Sequence, residues 1–334
     1  MQVIVASVNL TSFSHFFGGS TSMNDATRGG WLTLENCPGC CSSRSMLIGT
    51  RHKPQFKILD RAVEVPGRTI QFYSCQECGL VYKNPQPSKG LLDEVFNTDK
   101  VNPWGKRYSY KAEVAWISSM VGGSPEDVDL LDIGAADGGL LLALRDTVGR
   151  RSAMDVADFG ASAAVSEEGE FIRGWLDDAD LKWGGRPYSM VTCFDIFEHL
   201  HRPGIAFQRL AEIVSVGDML LVETGDADFW SSKKNFGRWW YSDLLEHNVF
   251  WNAKSLEVLG AESGFVLRSL SRVQHKTWRE RGALEKSLQM VKIAANFVAP
   301  GLYQRLGKAC GVSVAAHPRS PFPKDHLRAV FVRR

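Results

Sequence analysis

Long apolar runs are missing from this 334-residue chain: no stretch approaches the roughly 20 apolar residues that a membrane span requires. The opening MQVIVASVNLTSFSHFF is mildly apolar but lacks a basic leading region, which argues against a secretory signal. Its Ser, Thr and Gly content predicts a disordered leader over 1–30, with Met23 as an alternative start. A cytoplasmic protein is expected, at most peripheral to the inner membrane. Internal repeats are also absent. Cysteine is scarce, with seven residues, and four of them fall in two close pairs. Acidic residues are almost missing from 266–334, which hold fourteen Lys or Arg against three Asp or Glu. The net charge of +2 therefore conceals a basic tail at +11 on a body at −9. Such a tail faces solvent or something anionic: a membrane surface, a phosphate-bearing substrate or a nucleic acid.

Core material is plentiful, with eighteen Phe and ten Trp. After NPQPSKG (84–90) a helix is predicted over about 106–120, and from 128 onward strand and helix patterns alternate. DLLDIGA, SAMDVAD, FIRGW, YSMVTCFDIF, DMLLVETG, FVLRSLSRV and HLRAVFVRR read as strands. GGLLLALRDTV, IAFQRLAEIVS and SLEVLGAESG read as helices. This alternation predicts an α/β fold, a mostly parallel sheet with helices on both faces. A helical insertion over 272–325 includes ALEKSLQMVKIAANFV.

LLDIGAADGG (130–139) is the first strand end of that sheet, where an open parallel sheet binds its ligand. Glycine lets backbone approach a ligand closely, and the next helix offers a partly positive N-terminus. Gly134, Ala136 and Gly139 form an imperfect G-x-A-x-x-G dinucleotide fingerprint. A pyrophosphate, however, would meet like charge at Asp132. S-adenosylmethionine presents a sulfonium and an ammonium instead, so the carboxylate selects it. Asp155 ends the next strand, 23 residues on, where a carboxylate can accept from both ribose hydroxyls. Asp177 and Asp178 fall near the expected adenine edge.

On these residues the chain resembles the class I S-adenosylmethionine-dependent methyltransferases over about 105–334. The resemblance implies a Rossmann-like sheet of seven strands ending in an antiparallel hairpin, here FVLRSLSRV with HLRAVFVRR. It also implies Asp132, Gly134 and Gly138 around the methionine end of the cofactor, with Asp155 on the ribose. Ala136 stands where a second glycine is usual, and its methyl crowds the approach. In YSMVTCFDIFEHL, Asp195 joins the cofactor set, and Glu198 and His199 line the acceptor side. The Asn/Asp-Pro-Pro-aromatic run of base amino-methyltransferases is absent, favouring small-molecule or glycan acceptors over nucleic acid. His199 is a candidate general base, because an imidazole near neutral pKa can take a hydroxyl proton. His247 is a second candidate. Asp195, Glu198 and His199 also resemble a metal-associated cluster of quinone-pathway O-methyltransferases. Among the aromatics between Phe229 and Trp251, Trp239, Trp240 and Tyr241 are candidates to stack on a sugar or a quinone ring.

Cys37-Pro-Gly-Cys40 and Cys75-Gln-Glu-Cys78, in a cytosolic chain, predict a structural tetrathiolate Zn2+ module over 31–90 rather than disulfides. CQECGLVYKNPQP ahead of such a domain resembles a bacterial branch associated with surface-polysaccharide and sugar modification. Four readings follow. The first is methylation of a nucleotide- or lipid-linked saccharide at O or C; the second, O-methylation of a quinone or phenolic metabolite. The third is a cofactor-binding scaffold without transfer, suggested by Ala136, and the fourth is RNA methylation.

Overall fold

The computed structural model describes residues 26–28, 30–58, 61–96, 109–178, 180–229, 233, 236–276, 281–298 and 324–334. Most of the expected leader, and residues 299–323 of the expected insertion, lie outside the described residues. Ala26–Arg28, assigned by sequence to the leader, is a short strand paired with Trp31–Thr33, which in turn pairs with Gln86–Pro87. Strands β1 (Ser45–His52), β2 (Thr69–Cys75) and β3 (Val81–Asn84) form an antiparallel meander, and helix α1 (Lys89–Phe96) follows.

The alternating region builds helix α2 (Lys111–Ser118), strand β4 (Leu130–Ile133), helix α3 (Gly139–Ala143) and strands β5 (Arg151–Asp155), β6 (Phe171–Arg173) and β7 (Tyr188–Phe194). Helix α4 (Pro203–Ile213) and strand β8 (Val214–Gly225) follow. After these come strand β9 (Val249–Phe250), helix α5 (Ala253–Glu262), strand β10 (Phe265–Val273), helix α6 (Ala283–Val298) and strand β11 (His326–Arg333). The main sheet runs β6-β5-β4-β7-β8-β11-β10. Strands β4 to β8 are parallel, and β11 lies antiparallel between β8 and β10, as the resemblance implied.

All four residues of β4 are buried, which suits an apolar run with a strand on each side and helices on both faces. On α4 the buried residues Ala206, Phe207, Leu210 and Ile213 recur at helical spacing and face the sheet. Phe207 meets Phe197, Trp251, Phe265 and Phe331, with ring centroids 5.3–6.1 Å apart. Helix α5 starts with a capping box, in which the Asn252 side chain accepts from the Ser255 amide and Ser255 Oγ accepts from the Asn252 amide, both at 2.9 Å.

The cysteine-bearing segment is not a separate unit. Its sheet, β9-β3-β2-β1, takes its outer strand from the methyltransferase-like part, with Val249 opposite Tyr82 and Phe250 opposite Val81. The four paired cysteines share one buried cluster with Trp251, Leu256 and Leu259. Asn252 Nδ2 donates to the Gly79 carbonyl at 3.0 Å, fixing the second cysteine loop to the start of α5. Among the described residues no helix is long and apolar enough to cross a membrane.

Candidate functional site

A cavity of about 1190 Å³ opens at the carboxyl edge of the parallel strands. Asp132 to Asp137, Asp155 and Val156 line one side of it, with Gly174, Trp175 and Leu176. The other side carries Asp195, Glu198, His199, Trp240, Tyr241 and His247, and His275, Lys276, Arg281 and Glu285 complete the wall. The predicted cofactor turn and the predicted acceptor residues are thus brought together.

Asp132 is buried inside the central strand, and Thr192, opposite it on β7, donates to its Oδ1 at 2.7 Å. Burial pushes the Asp132 carboxyl up to about 7; the Thr192 hydrogen bond opposes this, and Asp155 adds repulsion. A buried carboxyl of this kind resists ionisation until a cation reaches it, which fits the ammonium of the methionine end. Asp155 Oδ2 accepts from the Ala136 amide at 2.8 Å, so the ribose candidate also holds the turn in place. Burial raises Asp155 too, against the loop amides that favour its ionised form.

The glycines have a second reason beyond ligand approach. Gly134 (φ +79°) and Gly138 (φ +74°) are left-handed, and a Cβ on either would collide with protein. On Gly134 it would lie 1.9 Å from Ile196 Cδ1, and on Gly138 2.4 Å from Ala164 Cβ. Ala136 takes φ +48°, the conformation that makes glycine usual at its place in the turn. The turn forms nevertheless, with strain at one residue.

Two cofactor assignments change. Asp177 does not line the cavity. Its Oδ2 accepts from the His201 and Arg202 amides at 2.7 Å each, and Lys89 Nζ sits 2.6 Å from Oδ1. Burial pushes its carboxyl up, but Lys89, His201 and the Arg202 amide together hold Asp177 below its ordinary pKa, so the residue is a buried anchor for the loop before α4. Sequence could place it after β6 but not say which way it turned. Asp195 lines the cavity but pairs with Lys276 Nζ at 2.5 Å and groups with His275 and His326. It is left-handed (φ +56°), a strained backbone that a short polar side chain tolerates.

On the acceptor side the two histidines separate. His199 Nδ1 lies 3.1 Å from the Glu246 carbonyl, so Nδ1 carries the proton and Nε2 is the basic nitrogen. Nε2 stands 3.9 Å from Glu198 Oε1. Glu198 is fully buried and receives the Thr224 hydroxyl at 2.7 Å and the Tyr241 hydroxyl at 2.5 Å. Burial raises its pKa, with His199 opposing. His247 is buried edge-on to His199, with ring centroids 4.9 Å apart, and burial holds it well below the ordinary histidine pKa. Of the stacking candidates, Trp239 belongs to the core with Phe236 and Phe250, and Tyr241 is committed to Glu198. Trp240 remains at the cavity, joined by Trp175.

Sequence reasoning missed Thr192, Trp175, His275, Lys276 and His326. His326 opens the last strand. Because β11 runs antiparallel, its first residue, not its last, reaches the ligand edge. A histidine at that position was the available signal.

Cys37, Cys40, Cys75 and Cys78 bring their sulfurs within 4.8 Å of one another. The Cys37–Cys78 and Cys40–Cys75 separations are 3.6 and 3.5 Å, too long for disulfides at about 2.05 Å. They approach the ~3.8 Å edge of a tetrahedron with about 2.3 Å metal–sulfur bonds. Each loop closes alike: Cys41 N donates to Cys37 O at 2.9 Å, and Gly79 N to Cys75 O at 3.0 Å. The residue after each pair is left-handed, at φ +60° (Cys41) and +79° (Gly79), so Cys41 fills the place expected for glycine. This donor set fits a closed, four-coordinate Zn2+.

Sheet order, turn and cavity define a nucleotide-type site on a Rossmann-like α/β fold. A family model described as a methyltransferase domain matches residues 104–270, half of the chain, and the chain belongs to that family. It is an S-adenosylmethionine-dependent methyltransferase of the class I fold. Solved structures with a similar fold include the magnesium protoporphyrin IX methyltransferase of Synechocystis, at 13% identity over 74% of this chain and 100% of that one, TM-score 0.45. The N-methyltransferase NodS of Bradyrhizobium japonicum matches at 11% identity over 66% and 84%, TM-score 0.40. The [4+2]-cyclase SpnF matches at 15% identity over 69% and 84%, TM-score 0.45. No curated relative matches the chain.

Proposed function

We propose that the chain methylates a small-molecule or glycan acceptor, a nucleotide- or lipid-linked saccharide, at a hydroxyl oxygen or an activated carbon. The observation that carries this reading is His199: it lines the cavity, its Nδ1 is tied to the Glu246 carbonyl, and its Nε2 is left as the basic nitrogen beside Glu198. S-adenosylmethionine, when bound, supplies the electrophilic methyl group. Asp132 would receive its ammonium and Asp155 its ribose, with Gly134, Ala136 and Gly138 forming the turn beneath it. His199 Nε2 takes the acceptor proton, and Glu198 stabilises the resulting imidazolium. His247, buried and neutral, packs the base in place. Trp240 and Trp175 offer flat faces for a sugar ring. The remaining contribution is orientation and exclusion of water.

The four cysteines hold one structural Zn2+ in this account, and the chain works in the cytoplasm beside the inner membrane. Helix α6 supports that location: Leu284, Leu288 and Val291 form an exposed apolar stripe in the basic segment, suited to an anionic membrane surface. Retention on vesicles containing phosphatidylglycerol but not on neutral ones is the expected outcome. A second reading, O-methylation of a quinone or phenolic metabolite, is favoured by Glu198, His199 and His247, whose ligand atoms fall within 4.8 Å of one another. The discriminating experiment supplies methyl-labelled S-adenosylmethionine and fractionated cell extract, then identifies the labelled product by mass. A labelled glycan supports the first reading, a labelled phenol the second, and no transfer to any fraction overturns both.

A further inference from the structure

At the acceptor wall a second group of side chains converges from three separate elements. Asp195 follows β7, His275 lies two residues past β10, and His326 opens β11 directly opposite Val273. The potential ligand atoms of these three side chains lie within 4.8 Å of one another. His326 is fully buried; its Nδ1 is 2.9 Å from Asp325 Oδ1, and its Nε2 has no hydrogen-bond partner. An unpaired buried ring nitrogen is costly to keep away from water, so a partner for it is expected. A carboxylate on the far nitrogen is the usual support of a metal-binding imidazole, because it fixes the tautomer and raises the basicity of the other nitrogen.

We propose that Asp195, His275 and His326 form a binding site for a divalent first-row transition-metal ion, facing the acceptor half of the cavity and distinct from the cysteine cluster. Two imidazoles and one carboxylate suit Mn2+, Fe2+, Co2+ or Zn2+, whereas Mg2+ and Ca2+ prefer all-oxygen shells. Asp195 and His275 line the cavity, so the remaining coordination positions open toward the acceptor. There an ion orients and acidifies an acceptor hydroxyl. This catalytic role rests on the proposed methyl transfer; the binding itself does not.

The charges around the site explain what competes for it. Lys276 Nζ sits 2.5 Å from Asp195 Oδ2 on a side chain one-third exposed at the cavity wall. Its ammonium takes the position of a cation and can swing outward. Asp325 lies against His326 Nδ1 and Asp195 faces its ring, and the charge of these two carboxylates attracts a divalent ion. Removing Lys276 therefore tightens metal binding, which an ion-pair network with no metal function would not do.

The test uses the full chain with its cysteine site loaded, titrated with Mn2+, which prefers nitrogen and oxygen donors over thiolates. Free Mn2+ is read by electron paramagnetic resonance. The expected result is one Mn2+ per chain, weakened at least ~10-fold in His275→Ala and His326→Ala and roughly 10–100-fold in Asp325→Asn. Lys276→Ala is expected to tighten it by roughly tenfold. Cofactor affinity and the melting curve serve as folding controls, and His275→Ala decides the matter if His326→Ala does not fold. Absence of Mn2+ binding in both the wild type and Lys276→Ala overturns the site. So does Mn2+ binding that His275→Ala leaves unchanged, because the ion is then held elsewhere, as by Glu198, His199 and His247.

Discussion

Asp132 links stability to binding through one buried carboxyl. Its folded pKa, about 7, lies above its ordinary value of 3.8, so between these values the folded chain keeps a proton that the unfolded chain has lost. Stability therefore falls as pH rises across that window, and the penalty is complete above it. In ligand-free protein at pH 8, Asp132→Asn is expected to be more stable than wild type by roughly 2–4 kcal/mol, with the difference vanishing near pH 4. The same substitution should weaken cofactor binding. Denaturant melts across pH check this, and parallel curves for the two proteins would contradict it. At Ala136, glycine removes the left-handed strain and should raise stability by about 1 kcal/mol, read as a higher denaturation midpoint. His199→Ala should lower turnover by roughly 10²–10⁴ with cofactor affinity kept. His247→Ala should act mainly on stability. Sequence made both histidines candidates. The Glu246 carbonyl that distinguishes them is a tertiary contact, and neither side chain announces it.

The strands and helices themselves were legible. Apolar runs punctuated by glycine located β4, β5, β7 and β8, and the chain order of these patterns anticipated the parallel core, whereas the antiparallel hairpin came from the family resemblance. Register was not legible, and register decides the partners: Thr192 meets Asp132 only because β7 pairs with β4 in that alignment. Nor did any local pattern reveal that Val249–Phe250 completes the cysteine-bearing sheet, since a two-residue strand carries no periodicity. Two element-level outcomes follow. Phe207→Ala on α4 should destabilise the chain by about 3–5 kcal/mol, because the ring is fully buried among four other aromatics. Metal analysis should find about one zinc per chain, and substituting Cys75 and Cys78 by serine should remove it. That change should also slow turnover, since β3 carries β9 next to His247; retained zinc would dismiss the tetrathiolate assignment.

For the whole molecule, charge and fold divide the work. An acidic body carries the cofactor turn, and the basic segment from 266 onward supplies Lys276 and Arg281 to the cavity wall and continues into α6. The residues proposed for the cofactor could be named in advance because they sit in one contiguous turn, LLDIGAADGG, and at the next strand end. The acceptor half was only partly readable, because Tyr241, His275 and His326 converge on it from distant points of the sequence. This cavity is expected to bind S-adenosylmethionine through Asp132 and Asp155. Isothermal titration of the ligand-free chain with S-adenosylmethionine decides it. Saturable binding of one molecule per chain is expected, weakened at least ~10-fold, about 1.4 kcal/mol, in Asp155→Ala. Binding that is absent from the folded wild type, or equal in the variant, would contradict it.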